Sequence, residues 1–101
     1  MRAIALVALE KVRPALILTR GIALRSMTRV TIAPITSTIR GLTTEVPLST
    51  RHGLQHDCVA SCDNILTIPK TAIIRQIGML FDDQEEELSR AIANAFDLRS
   101  W

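Results

Sequence analysis

The chain has almost no aromatic residues: two phenylalanines, one tryptophan and no tyrosine in 101 residues. Rings therefore cannot fill its core, and they are too few to build a base-stacking sheet surface. Isoleucine, leucine, valine and alanine must supply the core instead. Cysteine is equally scarce, with Cys58 and Cys62 alone. On one strand their four-residue offset would set the thiols on the same face about 13 Å apart, beyond the reach of a disulfide. The nearby His52 and His56 fit no common zinc-ligand spacing, so no metal site is expected. Reduced, buried thiols suit a cytoplasmic protein. Long apolar runs are also missing. The seven-residue run Ala3–Leu9 is halted by Glu10, Lys11 and Arg13 with no small-residue cleavage site. It is too short for a membrane span and short for a signal segment, and reads as a buried strand. There is no internal repeat and no low-complexity segment.

What is present is a hydrophobic fraction of 48% with 22% charge, the balance of a folded domain. The length suits one small domain over residues 1–101, near the size where oligomerisation helps. Charge is unevenly spread. Residues 1–40 hold seven basic side chains and one acid, a net +6; residues 41–101 carry a net −4. The arginine-rich first half suits an anionic partner, nucleic acid first, although a solvated surface has the same composition.

The organising stretch is Val30–Leu48. Val30, Ile32 and Pro34 alternate with Thr31, Ala33 and Ile35, a period-2 pattern of β-branched residues that predicts a strand over Arg29–Ile35. Pro34 predicts a bulge or an edge there. Thr36, Ser37, Thr38, Arg40, Thr43 and Thr44 follow, with Gly41 at the turn. Hydroxyls and a guanidinium at a sheet rim suit a phosphate; an ordinary β-hairpin uses the same residues. Further strands are expected at Ala3–Leu9, Ala15–Thr19, Glu45–Leu48, Asp57–Cys62, Ile65–Ile68 and Ile74–Leu80, with Gly78 as a bulge. Arg20–Thr28 and Ser49–Gln55 read as loops, and Pro69–Thr71 as a single helical turn. The segment Asp82–Leu98 predicts a helix, capped by Asp82 or Asp83 with Glu85 or Glu86. Its apolar stripe is Leu88, Ala91, Ile92, Ala95 and Phe96. Many short strands and one closing helix indicate a small β-barrel.

Four ordered segments carry a resemblance. Val12-Arg13-Pro14-Ala15-Leu16-Ile17-Leu18 resembles the second strand of the MazF/PemK toxins. The stretch from Val30 through Thr38, Arg40-Gly41-Leu42 and Glu45-Val46 resembles their next conserved segment. Cys62-Asp63-Asn64-Ile65-Leu66-Thr67-Ile68-Pro69-Lys70 and then Gln76-Ile77-Gly78-Met79-Leu80 continue the match in order. The resemblance covers about residues 12 to 98. It implies a mostly β, SH3-like barrel with a C-terminal helix, assembled as a homodimer. It also implies an endoribonuclease that cleaves single-stranded RNA at short sequences without a metal or other cofactor. A cognate antitoxin, expected to present an acidic, disordered segment, would neutralise it. The family's catalytic arginine and threonine correspond to Arg13 and Thr36, and Lys11, Ser37, Thr38, Arg40 and Asn64 would position the RNA. One departure stands out. Where the family has a basic-aromatic opening this chain has Arg2-Ala3-Ile4-Ala5-Leu6-Val7, and the family's longer glycine-containing loop, which helps cover and read RNA, is reduced here to a short Glu10-Lys11-Val12 link.

RNA cleavage by internal transfer requires deprotonation of the 2′-OH, stabilisation of the phosphorane charge and protonation of the leaving 5′-oxygen. Arginine is a poor base, because its guanidinium holds its proton in proteins. Arg13 therefore suits charge stabilisation and proton donation, and the base is a member of the pair or a water. His52 and His56 fall outside the matching motifs and read as surface residues. Two other functions fit parts of the chain. Gyrase-poisoning toxins of the CcdB type share the fold and act through a Trp-containing tail, and this chain ends in Trp101, although its tail tripeptide differs and those toxins lack the Arg13/Thr36 pair. An inactive paralogue would only sequester antitoxin.

Overall fold

Short aliphatic runs broken by Pro, Gly, Asp and Ser favour strands over helices, and seven strands form. In the computed structural model, which describes residues 1–98, these are β1 (Arg2–Ala8), β2 (Val12–Ile17), β3 (Arg29–Thr36), β4 (Glu45–Leu48), β5 (Cys58–Ser61), β6 (Leu66–Pro69) and β7 (Ile73–Leu80). Two helices complete the set, α1 (Gly21–Leu24) and α2 (Glu85–Ala95). The strands join in the order β4-β5-β3-β2-β1-β7, and the sheet curls into a half-barrel. β3 is its hub. One edge of β3 pairs with β2; the other pairs with β6 along Arg29–Ile32 and with β5 at Ile35–Thr36. Pro34 thus sits in a central strand, neither at an edge nor at a bulge. It is tolerated because β3 changes neighbours beside it.

The central strands are buried on both faces, as their aliphatic composition requires. Ile4, Leu16, Ala33 and Ile35 join Val46, Leu80 and the helix residues Leu88 and Ala91 in one core. Val7, Ala15, Ile17, Val30, Ile32 and Ile68 form a second core on the opposite face. The register of β1 against β7 skips Ile77, giving the expected bulge directly beside Gly78. β2 starts at Val12, earlier than the composition suggests. Pro14 fits inside it because the ladder to β3 begins only at Ala15.

Several local expectations are corrected. The Arg20–Thr28 segment contains the helical turn α1, which forms because Ala23 finds a buried site. The helix over Asp82–Leu98 is shorter: Asp82–Gln84 is a 3-10 turn, and α2 stops at Ala95. Asp97 takes a left-handed φ of 53°, and the Leu98 N–H returns to the Ala93 carbonyl at 2.8 Å, closing the C-terminus. No side chain caps α2; Asp82 instead accepts from the terminal amine and Asp83 from Arg51. Phe96 leaves the stripe and is 57% exposed, because it lies on the terminal turn. A capping box does exist, elsewhere. Ser49 and His52 satisfy each other's backbone across the 3-10 turn Thr50–His52.

His52 is therefore not a surface residue; it is 4% exposed. Its Nδ1 accepts the Ser49 N–H at 3.0 Å, so Nε2 carries the proton and donates to Gln84 Oε1. The ring ties the β4–β5 connection to the 3-10 turn that leads into α2. Arg2 is likewise structural. Its Nε lies 3.0 Å from Glu85 Oε1, and its Nη1 donates to the Leu18 carbonyl at 2.8 Å. One of the seven cations of the basic half is thereby neutralised within the fold.

Both thiols are free and buried. Burial, reinforced by the Asp63 charge, pushes the Cys62 thiol from 9.0 up to about 11. The folded state thus favours the neutral thiol. That contribution is complete below pH 9.0 and disappears as pH rises through about 11. Cys62→Ala should flatten the loss of stability across this window, read as the urea midpoint against pH; an unchanged slope would refute the linkage. Among the described residues no helix is long and apolar enough to cross a membrane. Trp101 lies outside the described residues.

Candidate active site

The β1–β2 turn is tight, with the Leu9 N–H bonded to the Lys11 carbonyl at 3.1 Å. It delivers Lys11 and Arg13 to the start of β2, where Arg13 pairs with Val7. β3 runs antiparallel beside β2, with Ala15 opposite Pro34. Continued two residues past that pair, the register sets Arg13 level with Thr36, the last residue of β3. Hydrophobic strand pairing alone has brought the two together. Thr36 Oγ1 accepts the Thr38 N–H at 3.1 Å, which holds the side chain and leaves its own O–H free to donate.

Arg13, Thr36, Lys11 and Ser37 line one open cavity of about 830 Å³. Its far walls come from β7, through Arg75 and Gln76, and from the β4–β5 connection, through Gln55 and His56. Lys11, Arg13 and Arg75 have no ion-pair partner among the described residues, so their charge is available to an anion. The wall also includes Cys58, whose thiol is pushed up by burial and by Asp57, so it stays protonated and poorly nucleophilic. Nowhere among the described residues do three His, Cys, Asp or Glu side chains converge to hold a metal ion.

Three of the expected RNA-positioning residues lie outside this wall. Thr38 contributes its backbone to Thr36, as described. The Arg40 N–H donates to Glu45 at 3.2 Å, and Arg40 sits on the loop over a second recess of about 500 Å³ lined by Ile39 and Leu42. Asn64 donates to Ser61 Oγ at 2.8 Å within the 3-10 turn Cys62–Asn64. Thr44 donates to Asp63 at 2.6 Å, which takes one hydroxyl of the loop away from any ligand.

Conversely, Gln55 and Arg75 line the cavity without having stood out in the sequence, and Gln76 of the fourth matching segment and His56, read as a surface residue, line it with them. Arg75 arrives through the β1–β7 ladder, where it pairs with Leu6, itself the partner of Pro14. No local pattern announces such a meeting. His56 is exposed, as read from the sequence, but the exposed face is the cavity wall.

Comparison with known proteins gives the family and the fold. Residues 4–96 match the family described as PemK-like, MazF-like toxin of type II toxin-antitoxin system. The chain is 53% identical over 98 residues to "Endoribonuclease MazF3" of Mycobacterium tuberculosis, covering 97% of this chain and 95% of that protein. It superimposes on the structure of "Mycobacterium tuberculosis toxin MazF-mt6" with a TM-score of 0.96 and 52% identity, covering 98% of this chain and all 100% of that one. An "Endoribonuclease in complex with its cognate antitoxin from Mycobacterial species" shares the fold at a TM-score of 0.86 with 23% identity, over 98% and 95% of the two chains. The chain belongs to the PemK-like, MazF-like toxin family of type II toxin-antitoxin systems.

Proposed function

We propose that this chain is the toxin of a type II toxin-antitoxin system and cleaves single-stranded RNA as a metal-independent, sequence-specific endoribonuclease. The observation that carries the reading is the meeting of Arg13 and Thr36 on the wall of one cation-lined cavity. In this reading the Thr36 hydroxyl and the Arg13 guanidinium grip the scissile phosphate. Arg13 neutralises the charge that develops on the phosphorane and protonates the leaving 5′-oxygen. Lys11 and Ser37 hold the adjoining backbone, while Thr38, Arg40 and Asn64 serve as outer contacts along the strand. The test is incubation with a defined single-stranded RNA in EDTA, followed by mapping of the cut ends. Cuts at one short sequence support the reading; intact RNA at every sequence tried rejects it. Supercoiling by purified gyrase, unaffected by the protein, would separate it from the gyrase-directed alternative.

The partners follow from the same charge and size. We propose a homodimer, because a chain of 11.2 kDa with exposed Val12 and Ile74 gains core by association. Light scattering at micromolar concentration should give twice the chain mass. The inhibitor is proposed to be an antitoxin with an acidic, initially disordered segment that folds over the cationic cavity. Such a segment should displace RNA competitively. Unchanged RNA affinity at saturating antitoxin would defeat this mechanism.

A further inference from the structure

An arginine and a threonine leave the reaction without a good base, since neither side chain readily accepts a proton near neutral pH. The cavity wall contains one side chain type that does. His56 Nδ1 lies 3.0 Å from the Asp57 carbonyl. A carbonyl can only accept, so Nδ1 is the donor and the neutral ring carries its lone pair on Nε2. Nε2 has no hydrogen-bond partner among the described residues. The ring belongs to the same cavity as Arg13 and Thr36. We propose that His56 is the general base of the cleavage, taking the 2′-OH proton on Nε2; the inference rests on the endoribonuclease reading above.

The step balances within the chain and its substrate. Nε2 removes the 2′-OH proton as the 2′-oxygen bonds to phosphorus. The bond from phosphorus to the 5′-oxygen breaks, and that oxygen takes a proton from Arg13. The products are a 2′,3′-cyclic phosphate and a free 5′-hydroxyl. The imidazolium proton then returns to Arg13 through solvent. His56 and Arg13 approach from different elements, the β4–β5 connection and β2, so that the substrate can lie between base and acid. The other charged groups around His56 are Lys11 and Arg13 from the β1–β2 side, Arg75 from β7 and Asp57 on its own segment. Of these residue types only histidine ordinarily changes charge between pH 5 and 8.

The experiment is single-turnover cleavage of one RNA by the wild type, His56→Ala and Arg13→Ala, across pH 5 to 8. Circular dichroism verifies folding, and binding of the same RNA with a 2′-deoxy nucleotide at the cut site measures affinity. His56→Ala should cleave about 10²–10⁴-fold more slowly, bind the deoxy analogue like the wild type, lose the acid limb of the pH–rate profile, and regain rate with added imidazole. An exposed side chain bonded only to its neighbour's carbonyl can be removed without harm to the core. Should Arg13→Ala be inactive while His56→Ala stays within about threefold of the wild type, the base is not His56 and the endoribonuclease reading survives. A slow His56→Ala that keeps the acid limb and ignores imidazole would also overturn the assignment. If the wild type cleaves no RNA, both readings fall together.

Discussion

Arg13→Ala is expected to cleave RNA about 10²–10³-fold more slowly than the wild type, the cost of removing one donor aimed at developing charge. The side chain is exposed at the start of β2 and carries no ion pair among the described residues. Its loss should therefore leave the urea midpoint nearly unchanged, so that the effect is read on the reaction alone. Arg13→Lys should recover only part of the rate, because an ammonium keeps the charge and loses the planar fork that matches two phosphate oxygens. Thr36→Val is the companion test. It keeps the β-branched shape that suits the end of β3 and removes the hydroxyl, so the protein should fold and cleave poorly. Single-turnover rates for the three variants, with circular dichroism alongside, decide the matter. A folded Arg13→Ala protein with the wild-type rate would remove this residue from the chemistry.

Gly53→Ala should destabilise the protein by about 2–6 kcal/mol, combining backbone strain with overpacking. Gly53 has a φ of +87°, and a Cβ placed there would lie 2.1 Å from the Ile77 carbonyl oxygen. The contact is reciprocal, for a Cβ on Gly78 would lie 1.8 Å from the His52 carbonyl oxygen. Two glycines thus let the 3-10 turn press its backbone against the β7 bulge. Gly78 has no positive φ, so Gly78→Ala isolates the steric part. Gly41 has a φ of +73° with nothing within 4 Å, so Gly41→Ala isolates the strain and should cost only about 1–2 kcal/mol. Since whole-domain stability is about 5–15 kcal/mol, the Gly53 variant should show a far lower urea midpoint. An unchanged midpoint would mean that the two backbones are not packed this closely in solution. The consequence reaches the cavity, because Leu54, Gln55 and His56 follow Gly53 directly and form its far wall.

The strands were legible wherever pattern and composition agreed. The predicted strand Glu45–Leu48 appears with the same limits, and β3 and β7 differ from their predicted limits by one residue. The misreadings share a cause. Pro34 looked like an edge or a bulge, yet it meets the sheet where no ladder bond is asked of it on one side. Helix α2 ends early because Asp97 accepts a left-handed φ, a role that composition assigns to glycine first. His52 looked free because its burial depends on Gln84, a residue of another element.

Sequence alone determined the fold class, the aliphatic composition of the core and the family, and it singled out Arg13 and Thr36. These follow from periodicity, from residue type, and from motifs whose parts lie close together along the chain. Only the tertiary structure decided which cations are available to a ligand and which side chains complete the cavity. Arg2 is held by Glu85, whereas Arg75 joins Lys11 and Arg13. His52 is locked into the interior, whereas His56, four residues on, stands on the cavity wall with no partner for its Nε2 among the described residues. The physical reason is range. A side chain's charge and shape are local, but its partner is set by ladder register and by backbone contacts such as Gly53 against Gly78. Those join segments whose separation in sequence carries no pattern.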